Sequence, residues 1–93
     1  MATQITQIDL SDERRTVLRV EGDMLLDDAN LVAKIATSIN QKNGNQIWID
    51  LADLDFIDSE AASVLKGLND RDGFEIKGTE IFLQSAIDMA ERS

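Results

Sequence analysis

Between Gln46 and Leu65 the chain carries Asp50, Asp53, Asp55, Asp58 and Glu60, with Ser59 set between the last two and no basic residue among them. Carboxylates in such density offer oxygen ligands for Mg²⁺ or Ca²⁺, acid–base groups, or an acidic docking face. The spacing does not fit an EF-hand loop, because Asp53-x-Asp55 runs into Phe56-Ile57 with no Gly at the required turn. A solvated acidic face is the simpler reading. Ser59 has two readings of its own. Either it or Asp58 caps a helix by accepting a free backbone N–H, or it is a phosphoacceptor, where a phosphate would add about −1.5 to −2 charges at a helix N-terminus. Ser63, one helical turn further, reads as a surface or back-bonded Ser before it reads as a second modification site.

The composition closes most other routes to chemistry. The 93 residues include no Cys, His, Tyr or Pro. Disulfides, thiolate metal sites and Ser-His-Asp or Cys-His centres are thereby excluded within this chain, leaving carboxylates and Lys. The five Gly are scattered and none builds a phosphate loop, so no cofactor is expected, and no enzyme. Asp50, following Ile47-Trp48-Ile49, stands like the phosphoacceptor Asp of a response-regulator receiver, but the Met-Pro that commonly follows such an Asp and the late Lys are absent. A net charge of −9 argues against nucleic acid and anionic membranes and for basic protein surfaces. The first residues lack a basic and an apolar signal region, and no apolar run spans a bilayer, so a cytoplasmic protein is expected.

The elements that must position Ser59 follow from periodicity. Ile5, Ile8 and Leu10 mark a first strand, Ser11–Arg14 a turn, and Thr16–Glu21 a half-buried alternating strand that Gly22 and Asp23 break. Asp27 and Asp28 open a helix to about Lys42, with Leu25, Ala29, Val32, Ala36 and Ile39 as its buried stripe and Gly44 as its stop. Gln46–Leu51 reads as a central strand buried on both faces, with Trp48 in the core. Ala52–Asp58 reads as a loop carrying Leu54, Phe56 and Ile57 inward. A second helix then places Ala62, Leu65 and Leu68 inward and ends at Asp70–Gly73. Phe74–Lys77 is a short strand and Glu80–Glu91 a final helix with Phe82, Ala86 and Met89 on one face. The expectation is one α/β domain over residues 1–93, order β-β-α-β-α-β-α, with a mixed, mostly parallel open sheet and an N-terminal antiparallel hairpin.

The run Gln46-Ile-Trp-Ile-Asp-Leu-Ala-Asp-Leu-Asp-Phe-Ile-Asp-Ser-Glu-Ala-Ala-Ser-Val-Leu resembles the core of STAS domains, the anti-anti-sigma factors and related domains of sulfate transporters. Their pattern is a strand ending in Asp-Leu, a short loop, Phe-Ile-Asp-Ser and a helix. Val17–Asp23 is similar to the family's second strand and turn. The resemblance covers nearly the whole chain, and its specific part is about twenty residues. It implies that Ser59 is the phosphoacceptor. It also implies a docking face over Asp23, Asp53, Asp55, Asp58, Ser59, Glu60, Ala62 and Ser63, and as partner an anti-sigma factor or GHKL-type Ser kinase, with a phosphatase that resets the switch. Two departures stand out: Ala61 occupies the Gly of the usual Asp-Ser-x-Gly, and members often continue with another strand and helix, so part of the usual sheet is expected to be missing or supplied by a partner. The alternative implied by the resemblance is an unphosphorylated STAS accessory subunit, for instance of an ABC-type lipid transporter.

Overall fold

The computed structural model describes residues 3–78, and its backbone is organised around one long strand. Strand β1 (Gln4–Leu10) and β2 (Arg15–Met24) form an antiparallel hairpin, closed by a single 3₁₀ turn at Ser11–Glu13 and by Arg14 in the left-handed region. Helix α1 (Leu26–Asn43) follows, then β3 (Gln46–Asp50), β4 (Leu54–Ile57), α2 (Ser59–Asp72) and β5 (Glu75–Lys77). β3 lies parallel to β2, and β5 parallel to β3 on its far side, so the sheet reads β1-β2-β3-β5. This is the expected mixed, mostly parallel α/β sheet with an N-terminal hairpin.

Two strands differ from the sequence reading by more than a residue. Gly22 and Asp23 do not break β2; the strand bends there, at φ +92° for Gly22, and runs on to Met24. A residue with a Cβ disfavours that dihedral, which is why the bend falls on a glycine. Past the bend β2 changes neighbour. β3 pairs with Arg15–Arg19, whereas Leu54–Ile57 is not a loop but a fourth strand, β4, paired parallel to Gly22–Met24. The order over the described residues is therefore β-β-α-β-β-α-β. The expected helix Glu80–Glu91 lies outside the described residues.

The core fills the space between one sheet face and two helices. Leu18 and Val20 of β2 and Ile47 and Ile49 of β3 are fully buried against Ala29, Val32 and Ala36 of α1 and Ala61, Leu65 and Leu68 of α2. Both crossovers advance in the same direction across the sheet, and right-handed connections then put both helices on the same face, where they pack on one another. The alternate residues of the strands, Arg15, Val17, Arg19, Trp48, Asp50, Glu75 and Lys77, face the other way and none is buried. Hence the expectation that β3 is buried on both faces is corrected: Trp48 points out of the core, with the Arg15 guanidinium 3.7 Å and the Lys77 ammonium 4.4 Å from its ring centroid. These stems shield an aromatic face that no helix of the described residues covers. The indole Nε1 is buried and has no hydrogen-bond partner among the described residues.

The hairpin is tied to the helical layer by one buried polar group. The fully buried Thr16 donates its hydroxyl to Asp9 across the hairpin (2.9 Å) and accepts from Asn45 Nδ2 (3.2 Å), just past the end of α1. Gly78, at φ +72°, packs its backbone against the β3–β4 connection. A Cβ there would sit 2.4 Å from the Ala52 nitrogen, so only glycine fits.

Candidate functional site

Three parallel strands, β2, β3 and β4, end on the same side of the molecule, and α1 and α2 begin there. Side chains at the carboxyl ends of such strands gather next to helix N-termini, the common place for sites in open α/β sheets. Because β4 pairs with the end of β2, the starts of α1 and α2 are neighbours, joined by the Asp58 N–H donating to the Met24 carbonyl (3.1 Å).

At α2 the cap is Asp58, not Ser59. Asp58 is extended (φ −83°, ψ 167°), and its Oδ1 accepts the Ala61 N–H at 2.7 Å, while its carbonyl accepts from the Ala62 N–H at 3.0 Å. A free backbone donor at a helix start is thereby satisfied by a carboxylate, which also suits the helix dipole. Ser59 is the first helical residue and is exposed, as is Glu60. Ala61 is fully buried against the core with its N–H already taken by Asp58. Ala at this position does what helix propensity predicts and continues the first turn.

The start of α1 uses a different device. Its N-cap is Leu25, whose side chain can accept nothing. Asp28 instead reaches back and accepts the Leu25 N–H at 3.0 Å. Asp27 and Asp28 thus sit in the first turn, as their charge favours.

The acidic stretch is divided between two places. Asp53 is drawn to Arg19 on the uncovered sheet face, 3.7 Å from its Nε, with Asp50 at 3.9 Å. Asp50 also accepts the Ala52 N–H at 3.0 Å, fixing the turn out of β3. Asp55 is exposed on β4, and Asp23 is half-buried opposite Phe56 on β2, its carbonyl accepting from the Thr3 hydroxyl. Asp23, Asp55, Asp58, Ser59 and Glu60 therefore collect where β2 and β4 end. Ser63 is exposed a turn further along α2, and Ala62 is half-buried, packed on the core. Among the described residues no group of three potential ligands could hold a metal ion. No helix among them is long and apolar enough to cross a membrane.

Three site residues were missed by sequence reasoning. Phe56 was expected inward and is 44% exposed; Leu25 was expected in the buried stripe of α1 and is 49% exposed. Arg19 was missed as the partner of the acidic stretch, although the β2–β3 register sets it directly opposite Asp50. That register was the only signal, and a sequence does not display it.

The family model of the STAS domain matches residues 3–89. The chain belongs to the STAS domain family. No curated protein matches its sequence. Among solved structures, the STAS domain of an antisigma-factor antagonist from Rhodobacter sphaeroides is similar with a TM-score of 0.60 and 18% identity, covering 84% of this chain and 88% of that one. The anti-sigma factor antagonist SpoIIAA in its unphosphorylated form is similar with a TM-score of 0.51 and 25% identity, over 71% of this chain and 58% of that one. A third, described as Mglu, has a TM-score of 0.60 and 19% identity, over 77% of this chain but 18% of that much longer one. The matched fold thus makes up most of one chain and only a short part of another.

Proposed function

We propose that this STAS domain is an anti-sigma factor antagonist in bacterial partner-switching regulation, binding an anti-sigma factor or GHKL-type Ser kinase and switched by phosphorylation of Ser59. A regulatory, protein-binding role is what STAS membership and likeness to anti-sigma factor antagonists support. The observation that carries the finer reading is the division of labour at α2: Asp58 caps the helix, which leaves the Ser59 hydroxyl exposed without a capping duty. In the modification Ser59 Oγ attacks the γ-phosphorus of ATP, ADP leaves, and the hydroxyl proton is lost. The phosphate oxygens then stand at a helix N-terminus, where free N–H groups favour them, next to Asp58 and Glu60, which oppose them. Little refolding follows; what changes is the surface a partner meets.

The test is intact-mass measurement of the protein from its native cells under phosphatase inhibition, with fragmentation to locate the phosphate. A phosphate on Ser59 supports the switch. An unmodified protein under several growth and stress conditions refutes it.

A second reading is favoured by Ala61, which is fully buried with its N–H held by Asp58. A first turn so fixed suits a permanent docking surface, as in an accessory subunit of a larger complex such as an ABC-type lipid transporter. Binding of a partner that is indifferent to Ser59→Asp and Ser59→Ala alike would select it.

A further inference from the structure

We infer that Phe56 and Leu25 form the apolar centre of the docking face beside Ser59, and that the partner it fits is a protein presenting Lys and Arg around an apolar socket. This rests on the protein-binding role proposed above and adds the chemistry of the contact.

Three large apolar side chains are exposed among the described residues, Leu25, Leu31 and Phe56. Leu31 lies on the outside of α1. The other two end paired strands. Asp23 is opposite Phe56 and Met24 opposite Ile57 in the β2–β4 register, so Asp23 and Phe56 share a side. Leu25 is extended at φ −105° and ψ 179°, which returns it to the side of Asp23, two residues back. Met24 and Ile57 take the opposite side and are buried in the core. Leu25 and Phe56 therefore lie on the outer side of the same pair of strand ends, each with nearly half of its surface left exposed.

The rim around this pair has one sign. Asp23, Asp55 and Asp58 lie on the two strand ends, Asp27 and Glu60 in the first turns of α1 and α2, and none of these segments holds a Lys or Arg. An aromatic centre with a charged rim is the usual layout of a protein contact. The charge selects the occupant: a basic protein surface is attracted, whereas nucleic acid and anionic lipid are repelled.

The same layout gives the sign of the switch. A phosphate on Ser59 adds charge of the kind the rim already carries, so it does not repel a basic partner. It weakens docking by forcing a hydrated anion into an apolar contact. The loss on charging Ser59 is then larger with Phe56 present than without it.

The experiment is calorimetric titration of the purified full chain with the purified anti-sigma Ser-kinase domain of the same genome. Phe56→Ser is expected to weaken binding by about tenfold or more and Leu25→Ser by several-fold, with Leu31→Ser unchanged and all three melting like the parent. Raising NaCl from about 50 to about 500 mM is expected to weaken the parent complex several-fold. Ser59→Asp is expected to cost less affinity in the Phe56→Ser background than alone. Phe56→Ser binding as tightly as the parent, or affinity indifferent to salt, overturns the inference. If Phe56→Ser weakens binding while Ser59→Asp does not, the face stands and the switch falls. If the kinase domain does not bind at all, a photo-crosslinking phenylalanine at position 56 is introduced in the native cells. A salt-sensitive adduct, identified as a protein with a basic face and absent with the probe at position 31, upholds the face. No adduct, or the same adduct from both positions, overturns it.

Discussion

Replacing Asp58 by Ala should destabilise the fold several times more than replacing its neighbour Ser59. The Asp58 carboxylate is half-buried and holds the Ala61 N–H at 2.7 Å, a short contact for a charge-assisted bond. Losing an N-cap of this type costs typically about 1 kcal/mol and at most about 2, and losing a charge at the helix N-terminus adds about 0.3–1 kcal/mol. The sum, about 1.3–3 kcal/mol, corresponds to a fall in Tm of very roughly 5–20 °C for a chain of this size. Ser59→Ala removes an exposed hydroxyl from the first helical position and should stay within about 0.5 kcal/mol. Asp58→Asn keeps an acceptor and should fall between the two. Urea titration followed by far-UV circular dichroism, at fixed pH and salt, measures all three. Equal losses for Ser59→Ala and Asp58→Ala would mean that the hydroxyl shares the capping, and the argument for an unemployed Ser59 would fail.

Further outcomes follow from other contacts. Gly78→Ala should cost at least about 2 kcal/mol, since it combines a left-handed dihedral with a Cβ driven into the Ala52 backbone; a chemical denaturation curve unchanged from the parent would refute it. Thr16→Val, nearly the same shape, should cost about 1–3 kcal/mol by removing two hydrogen bonds, to Asp9 and from Asn45, and the same curve reads it. Arg19→Ala should change stability by no more than about 1 kcal/mol, because its pairs with Asp50 and Asp53 are largely exposed, and the difference should shrink in about 0.5 M NaCl. Arg15→Ala should uncover one face of the only Trp, shift its emission to longer wavelength and cost about 0.5–1 kcal/mol.

What the sequence disclosed was whatever depends on near neighbours along the chain. The stripes of α1 and α2 apart from Leu25, their glycine stops and the Asp58-Ser59 helix start are local, and they emerge within a residue or two. What it concealed depends on which strand lies beside which. Ile47-Trp48-Ile49 looks apolar throughout, so it reads as buried on both faces, but Trp48 is satisfied by cations from β2 and β5 that lie roughly thirty residues away on either side. Leu54–Ile57 shows no alternation because its two outer residues are buried and its two middle ones are exposed. Only pairing with the bent end of β2 makes it a strand. Hydrophobicity alone sends Phe56 inward, the usual error where an apolar residue is kept at the surface.

The double use of β2 also governs the order in which the structure can assemble. The β1–β2 hairpin closes over a four-residue connection, so it is inexpensive to form early. Joining β2 to β3 requires a loop of roughly thirty residues to close, and that loss of chain entropy is the main topological cost. β4 joins β2 across a loop of nearly the same length, yet by then β3 is docked and only the few residues of the β3–β4 connection remain to be ordered. Pairing of β4, and with it the placement of Ser59, is therefore a late step that follows the nucleus at little added cost. Mutations at Gly22 or along Leu54–Ile57 should accelerate unfolding and leave the folding rate nearly unchanged, while those at Leu18 or Ile49 should slow folding itself.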